Sequence, residues 1–156
     1  MKTQEIRQFR ELILQLHRNL GGQLKNDAKC CGITVAQCHA LMIVGTKKEI
    51  SLVDLAGILQ LDNSTLSRTI DGMVQLGLVM RHVNPEDRRY VIVSLTIKGH
   101  SIYNSIDSFF NEYFSSVFDL IPKEKHGQVL ESFYLFAEAV NKLGSLVCCK
   151  EEFTIE

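Results

Sequence analysis

Residues 51–96 of this 156-residue chain constrain its fold more than any other stretch. Ser51, followed three residues later by Asp54, has the pattern of a helix start ahead of Leu52, Leu55, Ile58 and Leu59. Gln60-Leu61-Asp62 then reads as a tight turn. Asn63 to Leu76 reads as a second helix, with Leu66, Ile70, Met73 and Val74 on its inner face and Ser64, Thr65, Ser67, Arg68 and Asp71 outside. Gly77 ends it. Leu78 to Val83 and Tyr90 to Leu95 are rich in β-branched residues and flank Asn84-Pro85-Glu86-Asp87-Arg88-Arg89, so they should pair as an antiparallel hairpin. Thr96 is placed to cap the next helix. Two short helices, a tight turn and a hairpin with a basic tip form the order a winged helix needs to grip duplex DNA. The second helix can enter a major groove, and the tip can reach the minor groove and phosphates beside it.

The flanks are helical by periodicity. Ile6, Phe9, Ile13, Leu16 and Leu20 recur at spacings of three and four, which predicts a helix from Thr3 to Leu24, weakened at its end by Gly21-Gly22. A polar loop, Lys25 to Gly32, leads to Thr34 as an N-cap and to a helix from Val35 to Val44 that Gly45 ends. After Gly99 the chain is expected to be helical nearly to its end, broken at Pro122. Ile102, Ile106, Phe109, Phe110, Tyr113, Phe114, Val117 and Phe118 form one apolar band; Val129, Leu130, Phe133, Phe136, Val140, Leu143 and Leu146 form another. These bands are wider than a small winged-helix unit can cover, so a second copy of the chain is expected to bury them in an isologous homodimer. The fold class is therefore mostly α with a small β-hairpin wing: one domain spanning 1–156, with a winged helix-turn-helix part over about 34–98 and dimerisation helices over about 3–24 and 99–149. The tail from Lys150 to Glu156 is expected to fray.

Charge narrows the partner. The net charge is -1, so no chain-wide basic field draws in nucleic acid, and any contact must come from a local patch. Between Arg81 and Lys98 the bases Arg81, Arg88, Arg89 and Lys98 face only Glu86 and Asp87, which makes the hairpin locally positive. No apolar run approaches the roughly 18 residues of a membrane span, and Met1 to Arg10 is too polar for a signal peptide; a cytoplasmic protein without a membrane partner is expected. His17, His39, His82, His100 and His126 are scattered, and none lies in a nucleophile-elbow, zinc-protease or phosphate-loop context, so catalysis is not expected. A winged helix that binds protein instead of DNA is the rival reading, but such a wing has no need of the Arg88-Arg89 tip.

The run Leu55-Ala56-Gly57-Ile58-Leu59-Gln60-Leu61-Asp62-Asn63-Ser64-Thr65-Leu66-Ser67-Arg68, then Gly77-Leu78-Val79, Asn84-Pro85-Glu86-Asp87-Arg88-Arg89 and Leu95-Thr96-Ile97-Lys98-Gly99, resembles the MarR family of transcriptional regulators over nearly the whole chain. The resemblance implies a dimeric winged helix-turn-helix protein, usually a repressor, on a pseudopalindromic double-stranded operator, released by a small ligand or by thiol chemistry. It makes Ser64, Thr65, Ser67 and Arg68 the groove-facing contacts. Asp87 would hold Arg89 by a charge-assisted hydrogen bond so that its guanidinium meets a narrow minor groove, and Arg88 would contact phosphate or pair with an acid. Ser64 and Thr65 also suit simple helix capping.

The five cysteines suggest an effector. Cys30, Cys31, Cys38, Cys148 and Cys149 are odd in number and include two adjacent pairs, a poor disulfide framework, so reduced thiols are expected. Cys30, Cys31 and Cys38, with or without His39, would hold a soft metal ion or arsenite if brought together, and any of the five could be oxidised. The spacing is not that of structural zinc, and no resident cofactor is required. Cys38, among Ala40, Leu41 and Val44, also suits a plain core role. A second effector route is an aromatic anion in a pocket lined by Arg10, His17, His39, Phe109 and Tyr113.

Overall fold

Local signals account for most of the element boundaries in the computed structural model, which describes residues 3–85 and 87–144. Helix α1 runs Thr3–Cys30, α2 Val35–Lys47, α3 Leu52–Leu59, α4 Asn63–Gln75, α5 Ile97–Asp119 and α6 His126–Leu143, with a single 3-10 turn at Lys123–Lys125. Strands β1 (Glu49–Ser51), β2 (Val79–Val83) and β3 (Val91–Leu95) form an antiparallel sheet in the order β1-β3-β2. The chain forms two compact units, and the division falls within α5 after Phe109.

Each short helix of the first unit starts on a polar cap. Thr34 and Gln37 make a reciprocal capping box at α2, and Ser51 Oγ accepts from the Asp54 amide at α3. Three helices end in one device, in which a left-handed residue lets two amides turn back onto carbonyls of the last turn. At α1, Gly32 (φ 69°) and Ile33 donate to Lys29 and Ala28; at α4, Gly77 (φ 69°) and Leu78 donate to Val74 and Met73; at α3, Gln60 and Leu61 donate to Gly57 and Ala56. Gln60 takes this conformation without being glycine (φ 53°).

Two expected helix ends move. α1 continues through Gly21-Gly22 to Cys30, because its stop is the buried closure of Ala28 against Ile33 and not the glycine pair. α2 runs past Gly45, whose missing Cβ is required by packing: a Cβ there would lie 2.3 Å from the Tyr103 ring. The core gathers Cys38, Leu41 and Val44 of α2, Leu55 of α3, Leu66, Ile70 and Met73 of α4, and Leu78, Val79 and Val93 at the sheet, all nearly or wholly inaccessible. Val74, expected on the inner face of α4, is 41% exposed.

In the second unit, Phe110, Tyr113 and Phe114 pack ring against ring along α5. His126 Nε2 lies 2.9 Å from the carbonyls of both Phe118 and Ile121 and its ring meets Phe118 edge-on, which closes the turn into α6 after Pro122. No residue of α6 is buried.

Candidate nucleic-acid interface

The second helix of the helix-turn-helix pair starts at Asp62, the N-cap of α4. Its carboxylate accepts from the Thr65 amide (2.8 Å), from the Thr65 hydroxyl (2.6 Å) and from the Ser64 hydroxyl. The Ser64 bond, then those of Thr65, hold this carboxyl far below the usual carboxylate range, so it is ionised at any working pH. Ser64 and Thr65 therefore both take part in the cap of α4. Their protons are committed to Asp62, while their oxygens keep acceptor lone pairs. Ser64, Thr65 and Arg68 are exposed and Ser67 is half-buried.

The wing tip is braced within itself. Asn84 donates its amide to Tyr90 and Tyr90 donates to Asp87, closing the loop. Asp87 takes the Arg89 guanidinium as a fork, Nε to Oδ1 at 3.0 Å and Nη2 to Oδ2 at 2.8 Å, and also accepts the Arg89 amide at 3.1 Å. This pairing lowers the Asp87 pKa and raises that of Arg89, each partner favouring the charged form of the other. The Arg89 side chain is nonetheless 85% exposed, so its remaining N–H groups are offered to solvent in a fixed direction. Arg88 is exposed beside it, and Glu86 lies outside the described residues. A cleft of about 300 Å³, lined by Asn63, Leu66 and Ser67 on the α4 side and Arg89, Tyr90 and Val91 on the wing side, separates α4 from the wing tip.

The other two bases of the hairpin region have internal duties that the charge count does not reveal. Lys98 Nζ donates to the Leu76 carbonyl at 2.8 Å, capping the C-terminal end of α4. Arg81 Nη1 pairs with Asp71 Oδ1 at 2.7 Å, and its Nη2 donates to the Ser67 carbonyl at 3.1 Å. A signal for this was present: Arg81 alternates with Val79 on the core-facing side of β2, where an aliphatic residue is expected, and Asp71 offers the matching charge on α4. The Leu95-Thr96-Ile97-Lys98-Gly99 junction has equally concrete work. Leu95 is buried, Thr96 Oγ1 accepts from the Gly99 amide and donates to the Gly77 carbonyl, and a Cβ on Gly99 would lie 1.9 Å from the Leu78 carbonyl oxygen. Strand β1, too short to show in the sequence pattern, completes the sheet by pairing Ile50 with Val93.

Cys30 ends α1 and is exposed, Cys31 follows in the turn and is half-buried, and Cys38 is fully buried one turn into α2. The expected loop position of Cys30 is thus corrected, for the reason given by the Ala28–Ile33 closure. Among the described residues no group of three or more His, Cys, Asp or Glu side chains is close enough to hold a metal ion, so Cys30, Cys31, Cys38 and His39 do not form the soft-metal site considered from sequence. Cys148 and Cys149 lie outside the described residues. Among those residues no single helix is long and apolar enough to cross a membrane.

Comparison with known proteins agrees with this geometry. The MarR family model matches residues 33–91, the span from the turn after α1 to the start of β3. The chain is 25% identical over 105 residues to the HTH-type transcriptional regulator BilQ of Clostridium symbiosum, covering 67% of this chain and 73% of BilQ. It is 31% identical over 98 residues to the multiple antibiotic resistance protein MarR of Salmonella typhimurium, covering 63% of this chain and 68% of that protein. The crystal structure of a cysteine-to-serine mutant of Escherichia coli MarR complexed with operator DNA superposes with a TM-score of 0.69 at 26% identity, covering 87% of this chain and 96% of that one. A winged helix with this cap, this wing fork and these relatives is a DNA-binding transcriptional regulator and not an enzyme: the chain belongs to the MarR family.

Proposed function

We propose that the protein acts in the cytoplasm as a homodimeric repressor on a pseudopalindromic operator, with α4 of each protomer in a major groove and each wing over the adjacent minor groove. The observation that carries this reading is the Asp87–Arg89 fork, an arginine held by two bonds yet almost wholly exposed beside a polar helix face. In the groove, Ser64 and Thr65 present acceptors, matched to the amino groups of cytosine or adenine, and Arg68 presents donors, matched to guanine. Arg88 meets phosphate. Pairing is supported by α6, where Phe133, Phe136, Val140 and Leu143 form a stripe of exposed apolar side chains, and by Ile6, Phe9 and Leu12 on α1. A dimer would set its reader helices about 34 Å apart, one turn of duplex.

Fluorescence anisotropy with duplexes from upstream of the coding region, at two salt concentrations, tests the assignment. Arg89→Ala should weaken binding and lower the salt slope by about one, whereas Arg68→Ala should cost about 1–3 kcal/mol and relax base preference. Unchanged affinity in both variants contradicts the interface.

For the effector, we favour oxidation or soft-ion capture at the Cys30–Cys31 doublet, supported by the exposure of Cys30 at the end of α1. A site of three protein ligands there would take at least one from beyond the described residues of the same protomer. Reduced protein whose operator binding ignores peroxide, arsenite, zinc, cadmium and copper(I) alike excludes this route and leaves an aromatic anion as the effector class.

A further inference from the structure

We propose that Arg81 is a positioning residue that locks the wing to the recognition helix, so that Arg89 reaches DNA only while this tie is made. The inference rests on the DNA-binding reading above and adds a coupling between its two halves.

Arg81 occupies an unusual place for a cation. Across the sheet it lies in one row with Ile50 and Val93, and Val93 is fully buried. From this core-facing position the side chain crosses to α4 and takes two partners one helical turn apart, the Asp71 carboxylate and the Ser67 carbonyl. Ser67 belongs to the groove-facing set, so the bond grips the reader helix at the level where it reads. Beyond Arg81 the hairpin stands away from α4 across the open cleft between Ser67 and Arg89. A hairpin tied at its root and open at its tip can pivot about the root. Removing the tie lets the tip take up many directions, and the ordering entropy must then be met on binding.

The pair is only partly buried, 29% and 53% exposed at the two side chains, so it adds little to folding and its variants should fold. A direct role in DNA contact predicts a different pattern from a lock. Asp71 is an acid close to the reader surface, and by charge alone its neutralisation should tighten binding to a polyanion. The lock predicts the opposite.

The test is a double-mutant cycle on duplex affinity at one salt concentration, with melting temperatures measured in parallel. Arg89→Ala should weaken binding about tenfold in the wild-type background and less than about threefold in the Arg81→Ala background. Asp71→Asn, which leaves Arg81 in place should Arg81→Ala fold poorly, should weaken binding at least about threefold and shrink the effect of Arg89→Ala in the same way. Arg81→Lys, which keeps a charge for Asp71 but cannot also reach the Ser67 carbonyl, should recover part of the affinity. An Arg89→Ala effect of equal size in all backgrounds, or tighter binding by Asp71→Asn, overturns the lock while leaving the DNA-binding reading intact. A harmless Arg89→Ala in the wild-type background removes the wing assignment, and the lock with it.

Discussion

Gly99→Ala should be among the most damaging single-methyl additions this chain can receive. The added carbon would lie 1.9 Å from the Leu78 carbonyl oxygen, a backbone atom that also accepts from the Thr96 amide at 3.0 Å and from its hydroxyl at 3.2 Å. Restoring a carbon–oxygen separation of about 3.3 Å requires the start of α5 and Leu78 to part by roughly 1.4 Å. The Thr96 amide bond then fails, at about 1 kcal/mol, while the hydroxyl proton stays with its shorter partner, the Gly77 carbonyl, and forced repacking adds about 1–3 kcal/mol. The better helix propensity of alanine returns at most about 1 kcal/mol. The net loss is about 1–4 kcal/mol, which for a chain of this length lowers Tm by roughly 3–15 °C. Gly57→Ala, in the last turn of α3 with nothing within 4 Å of the new carbon, is the control and should hold or raise Tm. Thermal melts followed by far-UV circular dichroism decide the matter. A Gly99→Ala protein melting within about 2 °C of wild type refutes the close approach and, with it, the explanation of the junction.

Other expectations rest on single contacts. Because hydrogen bonding depresses the folded-state pKa of Asp62 below its ordinary 3.8, its contribution to stability is complete above that pH and is lost as pH falls toward the folded value. The wild-type Tm should therefore fall more steeply than that of Asp62→Asn as the pH is taken below about 4, and parallel curves contradict the bonding around Asp62. Gln60→Gly relieves a left-handed conformation at the end of α3 and should stabilise by about 0.5–1 kcal/mol, read as an increased urea midpoint. Phe133→Glu alters a side chain already 54% exposed in the protomer, so it should leave helicity intact while halving the mass seen by light scattering. An unchanged dimer mass counts against α6 as the pairing surface.

What could be read from the sequence was whatever local chemistry decides alone. Thr34, Ser51, Gly77 and Thr96 announce their caps because each acts on residues within one turn, and the β-branched runs on either side of Asn84–Arg89 specify the hairpin. The Asp87–Arg89 fork, which the family resemblance implied, is equally local, its partners being two residues apart. What escaped depends on partners distant in sequence. The true end of α1 is set by burial of Ala28 against Ile33, which outweighs the low helix propensity of Gly21-Gly22. Gly45 reads as a stop until Tyr103 is placed beside it. Arg81 and Lys98 counted as surface charge until the fold brought Asp71, Ser67 and Leu76 to them. Nothing in the spacing of Cys30, Cys31 and Cys38 requires side chains on α1, a turn and the buried face of α2 to converge, and among the described residues they belong to no metal-holding group of three.

The most direct test of the account is the stoichiometry and salt dependence of the complex with duplex DNA, measured by sedimentation velocity on the intact protein. Two chains should travel with one operator-length duplex, and raising the salt from about 50 to 200 mM should weaken the complex by orders of magnitude. A complex holding a single chain, or one whose affinity ignores salt, contradicts the paired-reader arrangement.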